Sequence, residues 1–304
     1  MKKSGKSKKS DSSALDDRIY ELEERLEQKD AEINLFKKEL LGLNRHIEGL
    51  IDKLNSQLKI AHKIQEKLVP TEFPNIPGFE FSTKFQASYE SGGDYFDIFE
   101  IEDRFRFSLL LSSCSGYGIS SLFLSVLLKL TSHIETKKGA PPDKVFSMIT
   151  KDLIPQITDQ DSASLFYAVI NRRNYEMSYC HHGKNLAYLY RAQDKEVIEL
   201  EPTGDAFTKG FKAKIKSETI SLNPKDCLIL VTEGIHQVKN SKGVPLDVAR
   251  VKKMIFENAK KSPHQMRNEI FYQIQKWSGS KELSKDVTVL VAEVKDRVLK
   301  LAKT

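Results

Sequence analysis

The chain has 304 residues, 39% of them hydrophobic and 30% charged, with a net charge of +6. That composition suits one ordinary domain with polar extensions. It excludes a membrane-spanning helix, since no apolar run reaches the ~18 residues a span needs, and a disulfide framework, since Cys114, Cys180 and Cys227 lie far apart with no C-x-x-C spacing.

The N-terminus, M-K-K-S-G-K-S-K-K-S-D-S-S, carries charge but no apolar h-region, so no secretory signal is read and a cytoplasmic location is expected. Lys2, Lys3, Lys6, Lys8 and Lys9 crowd together among serines and a glycine. Residues 1–13 are therefore expected to form a disordered basic tail, with loose attraction to anionic lipid or nucleic acid as the other reading. No aromatic residue interleaves with these lysines to stack on bases, so no specific nucleic-acid partner is expected.

Over residues 14–68 the apolar side chains recur every seven positions. One seam is Ile19, Leu26, Ile33, Leu40, Ile47, Leu54, Ala61 and Leu68; the other is Leu15, Leu22, Lys29, Phe36, Leu43, Leu50, Gln57 and Ile64. A 3.5-residue period held this long specifies a left-handed coiled coil, a rod about 80 Å long. Recurrent Ile in the first seam favours two strands, and the polar Lys29 and Gln57 help fix register. A homodimer is the expected assembly; a trimer and an intramolecular hairpin are the alternatives, although no loop breaks the period.

Pro70, Pro74 and Pro77 mark a linker over residues 69–78. A second unit follows over 79–296, ahead of a short C-terminal tail at 297–304. Within it, strand-like runs are read at 79–87, 95–101, 105–112, 164–170, 176–180, 186–190, 197–200, 227–232 and 287–294. Helical patterns lie at 119–137, 142–153, 247–259 and 263–277, with Pro141 and Pro142 as a helix start. Strands with helices interpolated in pairs read as a layered α+β domain.

Four motifs stand out. Residues 91–100 read S-G-G-D-Y-F-D-I-F-E, and 112–118 read S-S-C-S-G-Y-G. Residues 228–235 read L-I-L-V-T-E-G-I, and 284–290 read S-K-D-V-T-V-L. With A-H-K-I-Q-E-K-L-V-P at 61–70, they resemble the SpoIIE/RsbU-like branch of the PPM-type (protein phosphatase 2C-like), metal-dependent serine/threonine phosphatases. The resemblance covers residues 61–294. It implies a four-layer α-β-β-α sandwich of two antiparallel sheets, with metals at one edge.

Phosphoester hydrolysis at a two-metal centre needs several carboxylates to hold the ions, which activate water and neutralise phosphoryl charge. Hard oxygen ligands suit Mg²⁺ or Mn²⁺. The resemblance places Asp94 in that set, in a turn shaped by Gly92 and Gly93. It also implies departures. Ser113 stands where the family keeps the Asp that bridges the metals, in the loop of Gly116 and Gly118. Glu233, before Gly234, replaces an Asp. Lys285 stands where the family has a ligand Asp, and Asp286 fits the supporting position beside it. An ammonium at Lys285 would repel a dication and would satisfy the charges of Asp94 and Glu233 without metal. Asp97 reads as structural, with a ligand role as the alternative.

Cys114 lacks the Arg six residues on that a cysteine phosphatase needs; that position is Ser120. His181 and His182, adjacent on a strand, point to opposite faces and cannot share one metal; a surface or edge position is expected for them. The expectation is a degenerate phosphatase domain with no cofactor, binding a phospho-regulatory partner of the anti-sigma antagonist or kinase type in a bacterial signalling circuit. The alternatives are a slow Mn- or Mg-dependent phosphatase using Asp94, Glu233 and either Asp97 or Asp286, and a coiled-coil scaffold with a passive globular cap.

Overall fold

The structure is a computed structural model that describes residues 7–70, 72–88, 93–116, 119–136, 139–212, 214–280 and 283–295. Gly92, Tyr117 and Gly118 lie outside the described residues, as do 1–6 and the tail at 297–304. The chain divides into two units, 1–57 and 58–304.

The first unit is helical. Helix α1 spans Ser7–Leu68. It therefore takes in residues 7–13, which the sequence reading put in a disordered tail. The segment S-K-K-S-D-S-S contains neither proline nor glycine, so nothing in it stops the helix. The seam side chains from Ile19 to Leu54 are exposed, including Leu26, Ile33, Phe36, Leu40 and Leu50. At the other end, Pro70 turns the chain out of the helix, because the residue before a proline is disfavoured in the α region.

The second unit holds ten strands and four helices: β1 (Phe79–Gln86), β2 (Asp94–Glu100), β3 (Arg106–Ser115), α2 (Ile119–Thr136), α3 (Pro142–Leu153), β4 (Ser162–Asn171), β5 (Glu176–His182), β6 (Leu186–Arg191), β7 (Glu196–Glu199), β8 (Glu218–Ser221), β9 (Cys227–Val231), α4 (Val248–Asn258), α5 (Pro263–Ser278) and β10 (Val287–Val294). They form two antiparallel five-stranded sheets, ordered β1-β10-β9-β6-β7 and β2-β3-β4-β5-β8.

Among the described residues, three apolar cores separate four layers. Phe107, Leu109 and Leu111 of β3 point between the sheets, where they join Phe96, Leu230 and Leu290. The alternate residues Leu110 and Cys114 point outward to α2 and α3, among Leu124, Leu128 and Phe146. Ile229, Val231 and Val289 of the other sheet face α4 and α5 across Met254, Ile270 and Phe271. Period-2 alternation with both faces covered explains why β3 and β4 read as nearly continuous apolar runs.

Helix ends follow local chemistry. Asp247 caps α4 through the Arg250 N–H, and Ser262 with Gln265 forms a capping box ahead of Pro263. Gly279 ends α5 at φ 68°, a left-handed position that glycine takes without strain. The sequence reading missed β8. It is four residues long and largely exposed, and among the described residues it pairs only with β5, at the sheet's edge.

Candidate functional site

Strand ends from both sheets converge on one small cavity. It is lined by Gly93, Asp94, Ser113, Cys114, Ser115, Glu233, Gly234, Gln237, Lys285 and Asp286. The four motifs, separated by as many as 192 residues, thus meet at one place. Asp94 opens β2 and lies opposite Ser113 in the β2–β3 ladder. Glu233 follows β9 at the start of a short 3₁₀ turn, and Lys285 and Asp286 precede β10.

Two glycines bring these pieces into contact. A Cβ at Gly93 would lie 2.4 Å from the Cys114 carbonyl oxygen, and one at Gly234 would lie 1.9 Å from the Asp286 carbonyl oxygen. Only glycine allows backbones so close. Gly116 packs against the buried Asp161, whose carboxylate accepts from Ser120 Oγ and Thr158 Oγ1, each at 2.7 Å. Asp161 thus braces Gly116 and Ser120, a role that sequence spacing does not reveal.

Each carboxylate is engaged by protein donors. Asp94 is buried, and its Oδ2 accepts from Thr232 Oγ1 at 2.7 Å and Thr288 Oγ1 at 2.8 Å. Asp286 accepts from the Ser88 N–H at 2.7 Å through Oδ1 and from the Asp94 N–H at 3.3 Å through Oδ2. Glu233 Oε2 accepts from Ser164 Oγ at 2.5 Å, and its own N–H donates to Asn185 Oδ1 at 3.0 Å.

Burial, and then the Asp286 charge, push the Asp94 carboxyl up to about 8, against the lowering effect of hydrogen bonds from Thr232, Thr288 and Ser113. The Asp94 carboxyl therefore holds its proton more readily than a solvent-exposed aspartate does. The Cys114 thiol is pushed well up by burial and by the charges of Glu233, Asp94 and Asp161. That rules out a ready thiolate nucleophile.

As placed, the described side chains do not assemble the donor set of a two-ion site: a serine and a lysine line the cavity beside the three carboxylates, each of which accepts a protein hydrogen bond. The cavity measures about 10 Å³, space for about one water. Among the described residues, no group of three or more His, Cys, Asp and Glu side chains is arranged to hold a metal ion.

Asp97 does not line the cavity; its Oδ2 accepts from Tyr95 OH at 2.9 Å and its Oδ1 from the Ile98 N–H at 2.8 Å. Of the expected surface or edge position of the two histidines, the surface reading is corrected, for both are buried at the end of β5. His181 lies between the carbonyl oxygens of Leu200 and Asn185, and His182 stacks on Phe207. Burial lowers both pKa values.

The family model described as Stage II sporulation protein E (SpoIIE) matches residues 103–295. No curated protein sequence matches the chain. Among solved structures, the SiaA-PP2C domain of Pseudomonas aeruginosa is similar at a TM-score of 0.66 and 17% identity, over 81% of this chain and 97% of that one. The RsbU and RsbW domains of Rv1364c from Mycobacterium tuberculosis align at a TM-score of 0.62 and 20% identity, over 76% of this chain and 62% of that one. The PP2C phosphatase domain of SpoIIE from Bacillus subtilis, solved with a fragment of its regulatory domain, aligns at 0.60 and 17%, over 71% and 63%. At these identities the structural likeness shows the fold.

Proposed function

The chain belongs to the SpoIIE family of PP2C-like phosphatase domains, and on that premise we propose that its globular unit is a degenerate phosphatase that works by binding a partner. The observation that carries this reading is the occupation of Asp94 Oδ2 by the Thr232 and Thr288 hydroxyls, with Ser113 opposite it in place of a bridging carboxylate. Losing a ligand shared by two dications leaves their mutual repulsion without its main offset.

By analogy with the RsbU-like relative, which is solved together with an RsbW domain, the partner is a serine-phosphorylated regulator of the anti-sigma antagonist type or its kinase, met in the cytoplasm. That step rests on kinship of fold. The exposed heptad seam of α1 supports a homodimer through the rod.

The test is hydrolysis of a generic phosphoester at saturating Mn²⁺, paired with calorimetric titration of the metal. Neither turnover nor binding is expected. Hydrolysis that depends on Mn²⁺ and disappears in Asp94→Ala would favour a second reading, a slow enzyme using Asp94, Glu233 and Asp286. That reading has one observation in its favour: the three carboxylates line the same cavity.

A further inference from the structure

The charges flanking the seam of α1 stand in a fixed relation. With Ile19, Leu26 and Ile33 as heptad position a and Leu22, Lys29 and Phe36 as d, position g holds Arg18, Arg25 and Glu32, and position e holds Glu23, Asp30 and Lys37. All of these lie on an exposed helix surface. When two identical helices run parallel and in register, each g residue meets the e residue five positions on in the other chain.

Arg18 then meets Glu23 of the second copy, Arg25 meets its Asp30, and Glu32 meets its Lys37. All three pairs are opposite in sign. The order of signs also fixes the register. A slip of one heptad sets Arg25 against Lys37 in one direction and Glu32 against Asp30 in the other. The next two g–e pairs, Glu39 with Asn44 and His46 with Ile51, add no like-charge contact.

The polar seam residues agree with this arrangement. In register, Gln57 faces Gln57 of the second copy, where two side-chain amides can hydrogen-bond. Lys29 faces Lys29, but Glu32 of its own chain sits 2.5 Å from its ammonium and offsets the repulsion. In an antiparallel pair at full overlap, Lys29 would land on Leu54 and Gln57 on Leu26. Lys29 keeps its own Glu32 there, but Gln57 would be buried against leucine without a partner.

We propose that the rod takes a second copy of this chain, parallel and in register, selected by the pairs Arg18–Glu23, Arg25–Asp30 and Glu32–Lys37. This rests on reading the rod as a coiled-coil dimer. In the single helix, Arg18 contacts Glu21 at 3.4 Å. Pairing redirects that guanidinium across the interface, while Glu32 serves Lys29 and Lys37 together.

Sedimentation of the full chain tests the underlying dimer, and a monomer or trimer would end the proposal along with that reading. Orientation is read separately by disulfide formation. The native cysteines are all buried, so a single Leu50→Cys reports on the rod. In the parallel dimer it cross-links to itself nearly completely under mild oxidation. In an antiparallel dimer Leu50→Cys alone stays reduced, and cross-linking appears only when it is mixed with Ile33→Cys. A dimer with that second pattern overturns the orientation and leaves the dimer standing.

Charge selection is read from the triple variant Arg18→Glu, Arg25→Glu, Glu32→Lys, which makes all three pairs like-charged. Its dimer dissociation constant should rise at least about tenfold. Mixing with Glu23→Lys, Asp30→Lys, Lys37→Glu should restore the affinity as a heterodimer. An unchanged dissociation constant, or no recovery on mixing, overturns the role assigned to the charges.

Discussion

Asp94 and Ser113 are direct cross-strand partners in the β2–β3 ladder, both buried, and their side chains share one cavity. A carboxylate at position 113 would therefore face Asp94 at close range. Ser113→Asp alone is expected to destabilise the fold by a few kcal/mol, because it adds a buried charge beside an existing acid. Adding Lys285→Asp should convert that cost into Mn²⁺-dependent stabilisation, since three nearby carboxylates could then share a cation. Thermal melting with and without Mn²⁺ measures this. A double variant that folds yet ignores Mn²⁺ would show that the four motifs meet without the geometry of a metal site.

Removing divalent ions from the unmodified protein is expected to leave Tm unchanged. A resident metal stabilises the native state by mass action, so a true two-metal domain loses several degrees on chelation. A drop of that size in EDTA would count against the degenerate reading.

The raised pKa of Asp94 gives stability a definite pH dependence. Its carboxyl moves from 3.8 in the unfolded chain to about 8 in the fold. Between those values the native state holds a proton that the unfolded state releases. This contribution to stability is complete below pH 3.8 and is lost as pH rises towards about 8, with a slope of at most ~1.4 kcal/mol per pH unit. Asp94→Asn keeps the shape and removes the titration. Urea midpoints at pH 5 and pH 7.5 should fall with pH in the parent and converge in the variant.

Thr232 and Thr288 both donate to Asp94, but Thr232 Oγ1 also accepts from the Thr288 N–H at 2.8 Å. Thr232→Val is therefore expected to cost more than Thr288→Val, with each loss on the order of 1–3 kcal/mol. The double variant should cost less than the sum, because both side chains serve one carboxyl. Urea titration of the three variants checks the ranking. An equal or reversed order would mean that Thr288 N–H finds another acceptor.

Ile33→Asp places a charge in the middle of the heptad seam. If the rod pairs, this should dissociate it, because an unpaired buried carboxylate costs several kcal/mol. An unchanged sedimentation coefficient would place the interface elsewhere.

The sequence disclosed elements whose pattern is local. The period-2 runs of β3, β4 and β10 and the proline start of α3 were legible because burial on two faces and helix initiation act within a few residues. The strand β8 was not, since Glu218 and Thr219 carry no apolar alternation and only pairing with β5 makes them a strand. The motif residues Asp94, Ser113, Glu233, Lys285 and Asp286 could be read from family resemblance. Their supporting hydroxyls could not. Ser164 reaches Glu233 across 69 positions and Thr232 reaches Asp94 across 138, and a lone hydroxyl has no periodic signature. The burial of His182 depends on Phe146, Phe207 and Phe211, which converge on it only in the folded chain.

Of the two threonines that donate to Asp94, Thr288 lies in β10 and Thr232 directly follows β9 of the same sheet, while Asp94 opens β2 of the other. The carboxyl therefore works as a polar rivet through the sandwich at its open edge. A domain fastened in this way can lose its ions without its edge coming apart. On the degenerate reading proposed above, a serine at 113 and a lysine at 285 would each be tolerable on its own, and the surface around the site would be free to be reshaped for holding a protein instead of cleaving an ester.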